Sequence, residues 1–374
     1  MSELDGDSVS EPATVAVMGG GSWGTSFSLV LADAGNKVRL WGRPTELCDA
    51  INATRENADY LPGIEIPAAV TASHDHAAVL DGADAVAFAV PAQTLRANLT
   101  VWAPCLPREA ILVSLMKGME LGTHERMSEV IAEVAGVGPE RIAVVSGPNL
   151  AREIAERQPA ASVVASTDAD VAARIQRLCH TPAFRPYTNA DVVGCELGGT
   201  VKNVIALAVG MAVGLGFGDN ARASVITRGL AETARLATAM GADAMTLAGL
   251  AGLGDLVATC TSPLSRNRTF GEKLGQGLTV DEIVHSTRQV AEGVKSCQSV
   301  YELAAEHDVD MPIVEHVAAV VRGELTPKQM LVALVSRTAK PERTYRPVLT
   351  GATRAIALQA PDNSSGPEGV ERLA

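Results

Sequence analysis

The stretch 14-TVAVMGGGSWGTSFSLVLADAG-35 restricts the fold of this chain more than any other. A short apolar run is followed at once by Gly19-Gly20-Gly21-Ser22-Trp23-Gly24, which fits G-x-G-x-x-G, and then by a helix-like segment that ends on a glycine. In that setting Gly19 permits a tight turn, Gly21 lets bare backbone approach a pyrophosphate, and Gly24 lets helix and strand pack closely. Unbonded N–H groups and the helix dipole favour an anion at the same place. The segment therefore reads as the first strand, loop and helix of a parallel dinucleotide-binding sheet.

The second strand bears on which dinucleotide. A site for NAD usually places Asp or Glu there, bonded to the ribose hydroxyls. Here 37-KVRLWGRP-44 ends without an acid, and Arg43 stands about where one is expected. A guanidinium unopposed by a carboxylate suits a 2′-phosphate. The reading is NADP(H) preferred, with NAD(H) as the alternative; an Arg43 that merely faces solvent is the bland counterpart.

Further apolar runs read as buried strands at 84-DAVAFAV-90, 110-AILVSL-115, 142-IAVVSG-147 and 161-ASVVAS-166, with helix-like segments between them. Alternation of this kind predicts an α/β, doubly wound parallel sheet. From about 197 the rhythm changes to long Ala, Leu and Gly-rich helical patterns, such as 220-NARASVITRGLAETARLATAMG-241 and 281-DEIVHSTRQVAEGV-294. The expected organisation is a flexible tail at 1–12, a dinucleotide-binding domain at 13–196, an all-α domain at 197–345 and a second tail at 346–374.

Composition narrows the function classes. A formal charge of −12 argues against a general nucleic-acid binder, whose phosphates it would repel. The six cysteines are scattered and form no C-x-x-C pair, so neither zinc nor a redox motif is suggested. The pair His74 and His76 reads as a surface pair, so no metal is expected. The acidic, polar N-terminus does not resemble a secretory signal, and the longest uncharged run, 203-NVIALAVGMAVGLGFG-218, is shorter than a membrane span. A cytoplasmic protein acting on a small anionic ligand is the expectation, with neither membrane insertion nor nucleic acid as a partner.

Four segments place polar groups among small apolar ones. Lys117 follows a buried strand in 112-LVSLMKGME-120, at the strand end that lines the ligand crevice of such sheets. The turn 145-VSGPNLAREI-154 puts Asn149 and backbone N–H groups at the same crevice. In 196-ELGGTVKNVIALAVG-210, Lys202 and Asn203 lead into an apolar helix, with Gly198 one turn earlier. A partly desolvated lysine there can exchange a proton near neutral pH. In 249-GLAGLGDLVATCTSPLSRNRTFG-271, Asp255 lies in an apolar run, and Ser265 can cap a helix that carries Arg266 and Asn267 at its positive end.

Together, 19-GGGSWGT-25, 146-SGPNLARE-153, 197-LGGTVKNV-204, 252-GLGDLVATCTS-262 and 265-SRNRTFG-271 resemble the soluble bacterial NAD(P)-dependent glycerol-3-phosphate dehydrogenases. The resemblance runs from about 13 to about 340. It implies a Rossmann-like domain followed by an all-helical one, and reversible reduction of dihydroxyacetone phosphate to sn-glycerol 3-phosphate, which supplies the glycerol backbone of phospholipids. It implies that Lys202 is the proton donor and acceptor, with Lys117 and Asp255 beside it. Substrate contacts are implied at Lys117, Gly147, Asn149, Lys202, Asn203, Asp255, Ser265, Arg266 and Asn267, with Arg266 on the phosphate. Cofactor contacts are implied at Ser22, Trp23, Arg43, Lys117, Ala151, Arg266, Val290 and Glu292, besides the loop glycines. Many relatives have Thr or Ser where Asn149 stands. Such chains often dimerise, which leaves a homodimer open. Two other readings of the same residues remain: a dehydrogenase of a hydroxy acid, and a non-catalytic NADPH-binding sensor.

Overall fold

Ten strands are formed in the computed structural model, which describes residues 12–286 and 291–337. They are β1 (Thr14–Met18), β2 (Lys37–Trp41), β3 (Glu56–Asn57), β4 (Leu61–Glu65), β5 (Val70–Ser73), β6 (Ala85–Phe88), β7 (Ile111–Ser114), β8 (Ile142–Ser146), β9 (Ala160–Ala165) and β10 (Phe184–Asn189). The tails expected at 1–12 and 346–374 lie outside the described residues, Pro12 excepted, and so does Val290.

Eight strands form one sheet in the order β10-β9-β8-β7-β6-β1-β2-β5. Its pairings are parallel except β8 with β9, which run antiparallel, so the sheet departs at that one junction from the all-parallel expectation. From β1 the chain winds one way to β2 and the other way to β6. That reversal opens a crevice at the carboxyl ends of β1 and β6, where ligands of doubly wound sheets bind. Valine, alanine and leucine fill both faces of the central strands, as a sheet covered on both sides requires. The edge strands β5 and β10 carry alternating polar residues, and they are the strands that a search for apolar runs misses. The β3–β4 hairpin lies off the sheet and folds toward the glycine loop, where the Asn57 side-chain amide donates to the Gly20 carbonyl at 2.9 Å.

Helix α1 (Ser22–Asp33) starts at the glycine loop, and α2 (Met127–Ala135) follows β7. Beyond β10 the described residues form helices only. The principal ones are α3 (Val192–Gly214), α4 (Asp219–Ala239), α5 (Asp255–Thr261), α6 (Arg266–Gly275) and α7 (Glu292–Glu306). Within α3 every side chain from Gly194 to Ala212 is buried, and α4, α5, α6 and α7 pack around it. It is long and apolar enough to cross a membrane, but 89% of the qualifying window is buried inside the fold. Strands end at Asn189 and helices take over at Val192, while the described residues up to Val335 pack as one compact unit.

Backbone contact fixes how α6 lies on α3. A Cβ at Gly271 would stand 2.1 Å from the Leu207 carbonyl oxygen, and one at Gly210 would stand 2.0 Å from that of Arg268. The two helices therefore cross with main chain against main chain.

Candidate active site

The glycine loop closes as its spacing predicts. Gly19 has φ +143°, and a Cβ there would lie 2.6 Å from the Ala89 carbonyl oxygen. A Cβ on Gly24 would lie 1.9 Å from the Gly19 carbonyl oxygen. Gly21 caps α1 without a side-chain bond, and nothing lies within 4 Å of where its Cβ would be. Bare backbone and a helix N-terminus thus face a cleft of about 750 Å³. The Trp23 indole N–H is buried and unpartnered beside it. These features fit a dinucleotide. The Ser22 hydroxyl donates to the Tyr60 carbonyl at 2.8 Å, which brings the hairpin over the loop. Arg43 lines the cleft, is exposed, and makes no hydrogen bond or ion pair with a described residue.

The reacting end is built around one carboxylate. Asp255 is 1% exposed. Its Oδ1 accepts from Lys202 Nζ, and its Oδ2 accepts from Lys117 Nζ at 2.8 Å. Three elements bring these groups together. Lys117 follows β7, Lys202 lies in α3, and Asp255 opens α5 after a π-type turn at Leu250–Gly254. That turn sits close against α3, since a Cβ at Gly198 would be 2.5 Å from the Ala251 carbonyl oxygen. Lys202 also donates to the Thr259 hydroxyl at 2.7 Å, and Lys117 to the Gly147 carbonyl at 2.7 Å. Burial, reinforced by the Lys202 charge and opposed by Asp255, lowers the Lys117 pKa to about 8. Two ammonium groups on one carboxylate leave a net positive charge facing the cleft.

A second polar chain runs beside the first. The Asn203 amide donates to the Lys117 carbonyl at 3.1 Å and accepts from the Asn267 amide at 2.9 Å. Asn267 in turn accepts from the Gly293 N–H at 2.9 Å. Ser265 caps α6 by accepting from the Arg268 N–H at 3.3 Å. Arg266, the first residue of that helix, faces the cleft, and its guanidinium is hydrogen-bonded to no described residue. Burial lowers its pKa, while Glu292 opposes that shift. Burial raises the Glu292 carboxyl, and its Oε2 has no hydrogen-bond partner. Both polar atoms of the Asn149 amide are likewise buried and unpartnered.

The cleft is lined by Gly19, Gly21, Ser22, Trp23, Arg43, Lys117, Asn149, Ala151, Lys202, Asn203, Ser265, Arg266, Asn267 and Glu292 among the residues singled out from the sequence. Gly24 and Gly147 shape the backbone behind it, and Asp255 stands beneath the two lysines. Sequence reasoning missed Thr259 and Tyr60. Thr259 lies four residues after Asp255 in a helix, a spacing that places both on one face and could have revealed it. Tyr60 reaches the cleft from the hairpin, and no local pattern announces it.

Residues 14–172 match the family profile described as NAD-dependent glycerol-3-phosphate dehydrogenase N-terminus, and residues 191–332 match its C-terminal counterpart. A glycerol-3-phosphate dehydrogenase (NAD(P)+) of Streptomyces griseus is 62% identical over 335 residues, covering 90% of this chain and all of that protein. One from Thermobifida fusca is 64% identical over 330 residues, covering 88% of this chain and 98% of that protein. The crystal structure of glycerol-3-phosphate dehydrogenase from Coxiella burnetii superposes with a TM-score of 0.83 at 38% identity, covering 87% of this chain and 99% of that one.

Proposed function

This chain belongs to the NAD-dependent glycerol-3-phosphate dehydrogenase family, and we propose that it carries out the family's reaction with Lys202 as proton donor, Lys117 as electrophile and Arg266 as phosphate anchor. The reaction is the reversible NAD(P)H-dependent reduction of dihydroxyacetone phosphate to sn-glycerol 3-phosphate. The observation that carries the residue roles is the sharing of buried Asp255 by Lys117 and Lys202 at the wall of the cleft.

The substrate phosphate meets Arg266 and the N-terminus of α6, whose uncommitted guanidinium and dipole suit a dianion. Phosphate binding holds the ketone against the lysines, so remote binding energy orients the reacting carbon. When bound in the cleft, the reduced nicotinamide would supply the hydride that this carbon receives. Negative charge develops on the carbonyl oxygen, and the largely buried Lys117 ammonium stabilises it. Lys202 transfers its proton to the same oxygen and is recharged from solvent. Asp255 holds both lysine side chains in place. Asn203 acts by position, because its amide is committed to Lys117 and Asn267. Asn149, Gly147 and Ser265 complete the substrate wall. Trp23, Ala151 and Glu292 complete the cofactor wall.

Arg43 gives the reading its preference for NADP(H), since its unpaired guanidinium faces the far end of the cleft. The proposal extends to a cytoplasmic enzyme whose partner is a phosphorylated small molecule, and its association state, a homodimer on this reading, is measurable by sedimentation. The test of function is NADPH oxidation with dihydroxyacetone phosphate and with unphosphorylated dihydroxyacetone, for the parent, Lys202→Ala, Arg266→Ala and Arg43→Ala. The reading requires turnover that needs the phosphate, collapses in the first two variants and loses its NADPH preference in the third. Parental turnover in Lys202→Ala overturns its role as the proton donor.

A further inference from the structure

Helix α3 carries two charged residues. One is Lys202, and the other is Glu196, which is 5% exposed and does not line the cleft. A buried carboxylate needs a full set of partners. Glu196 finds all of its own in the first turn of α2. Its Oε2 accepts from Arg126 Nη1 at 2.7 Å and from the Ser128 hydroxyl at 2.6 Å, and its Oε1 accepts from the Ser128 N–H at 2.9 Å. The carboxylate of one helix thus caps another from nearly seventy residues away.

Arg126 also closes the loop that carries Lys117. It pairs with Met119 in an isolated antiparallel bridge, two residues beyond Lys117. Its own N–H donates to Glu129 at 2.8 Å, which fixes the start of α2. On α3, Glu196, Gly199 and Asn203 follow one another at helical spacing and share a face. Gly199 lies against the Lys117 side chain, where a Cβ would meet Cγ at 3.3 Å, and Asn203 donates to the Lys117 carbonyl.

From this juxtaposition we propose that Glu196, through Arg126 and Ser128, is a positioning residue that sets the rotation of α3 against the Lys117 loop, and so the placement of Lys117 and Lys202 on Asp255. The inference rests on the roles given to those two lysines under the proposed function. Glu196 touches neither of them and supplies no proton.

The test compares parent, Glu196→Gln, Ser128→Ala, Arg126→Lys and Arg126→Met by steady-state kinetics across pH, with melting temperatures alongside. Glu196→Gln and Arg126→Met are expected to lower kcat by about tenfold to a hundredfold, the penalty of a sub-ångström to ångström misplacement. KM for NADPH should stay within about twofold, because the glycine loop is untouched. The alkaline limb of the kcat/KM profile should move, because it follows the surroundings of Lys117. Arg126→Lys should restore part of kcat. A role in stability alone would lower the melting temperature and leave kcat and the alkaline limb as in the parent, and that result overturns the inference. If Glu196→Gln does not fold, Ser128→Ala and Arg126→Met decide: a displaced limb supports the inference, and parental profiles refute it. Lys202→Ala, run beside them, separates the two levels. Full activity there refutes the lysine assignment itself, whereas an inactive Lys202→Ala with a parental Glu196→Gln refutes only the positioning role.

Discussion

Gly271→Ala probes how the packing of two helices reaches the chemistry. Gly271 lies in α6, five residues after Arg266 and four after Asn267. Its missing side chain is what lets α6 rest on α3 at Leu207, five residues after Lys202. A methyl carbon at Gly271 would stand 2.1 Å from the Leu207 carbonyl oxygen and 2.9 Å from its carbon. Even a close carbon–oxygen contact needs about 3.3 Å, so the axes must separate by about 1 Å locally. Both obstructing atoms are backbone, and no side-chain rotation relieves them. Added volume in a close-packed interior costs about 1–3 kcal/mol, which in a unit of this size predicts a melting temperature lowered by about 1–4 °C. The same displacement withdraws Arg266 and Asn267 from Lys202, and a 1 Å error in reacting geometry costs up to about a hundredfold in rate. The expected outcome is a folded enzyme with kcat/KM for dihydroxyacetone phosphate down by about tenfold or more, and NADPH affinity little changed. Gly277→Ala is the control: it lies just beyond α6 at φ +98° with open space around it, so it should cost stability but little activity. A Gly271→Ala enzyme with parental melting temperature and parental kcat/KM would refute the idea that this contact registers the phosphate anchor against the proton donor.

Three further outcomes follow from the charges. With the Lys117 pKa at about 8, well below the usual 10.5, kcat/KM should fall as pH rises past about 8, because the cation that stabilises the alkoxide is lost. The unfolded chain still binds that proton up to about 10.5, so this group's contribution to stability rises with pH in that window, and unchanged circular dichroism should accompany the lost activity. Asp255→Asn should reduce kcat/KM by about a hundredfold or more and move the alkaline limb to lower pH, since Asp255 is what raises the Lys117 pKa against burial; a limb left in place would show that Lys117 is not the group titrating. Glu232, buried in α4, accepts from the Ile313 N–H at 3.0 Å, and burial raises its pKa to about 7. The stability it contributes is complete below its ordinary pKa of 4.5 and is lost as pH rises through about 7. Glu232→Gln should therefore flatten the decline in melting temperature across that window, and an unchanged slope would exclude Glu232 as its source.

Much of this protein is legible along the chain. The glycine loop needs only local facts, a strand before it, a helix after it, and glycines where backbone must approach backbone, and those facts follow from the order of residues 14–35. The central strands β1, β6, β7, β8 and β9 announce themselves as apolar runs because both of their faces are largely buried. Lys117, Lys202, Asp255 and Arg266 stand out because charge is rare in such surroundings. What the order of residues does not hold is who meets whom. That one carboxylate serves two lysines depends on elements 138 and 53 residues away from Asp255 folding onto it. The edge strands, the antiparallel junction of β8 with β9, Tyr60 over the glycine loop and the capping of α2 by Glu196 are decided in the same way. Local sequence sets propensity and burial, which are short-range properties. The pairing of charges across the fold is set by which surfaces pack together, and that is fixed only when the helical layer closes on the sheet.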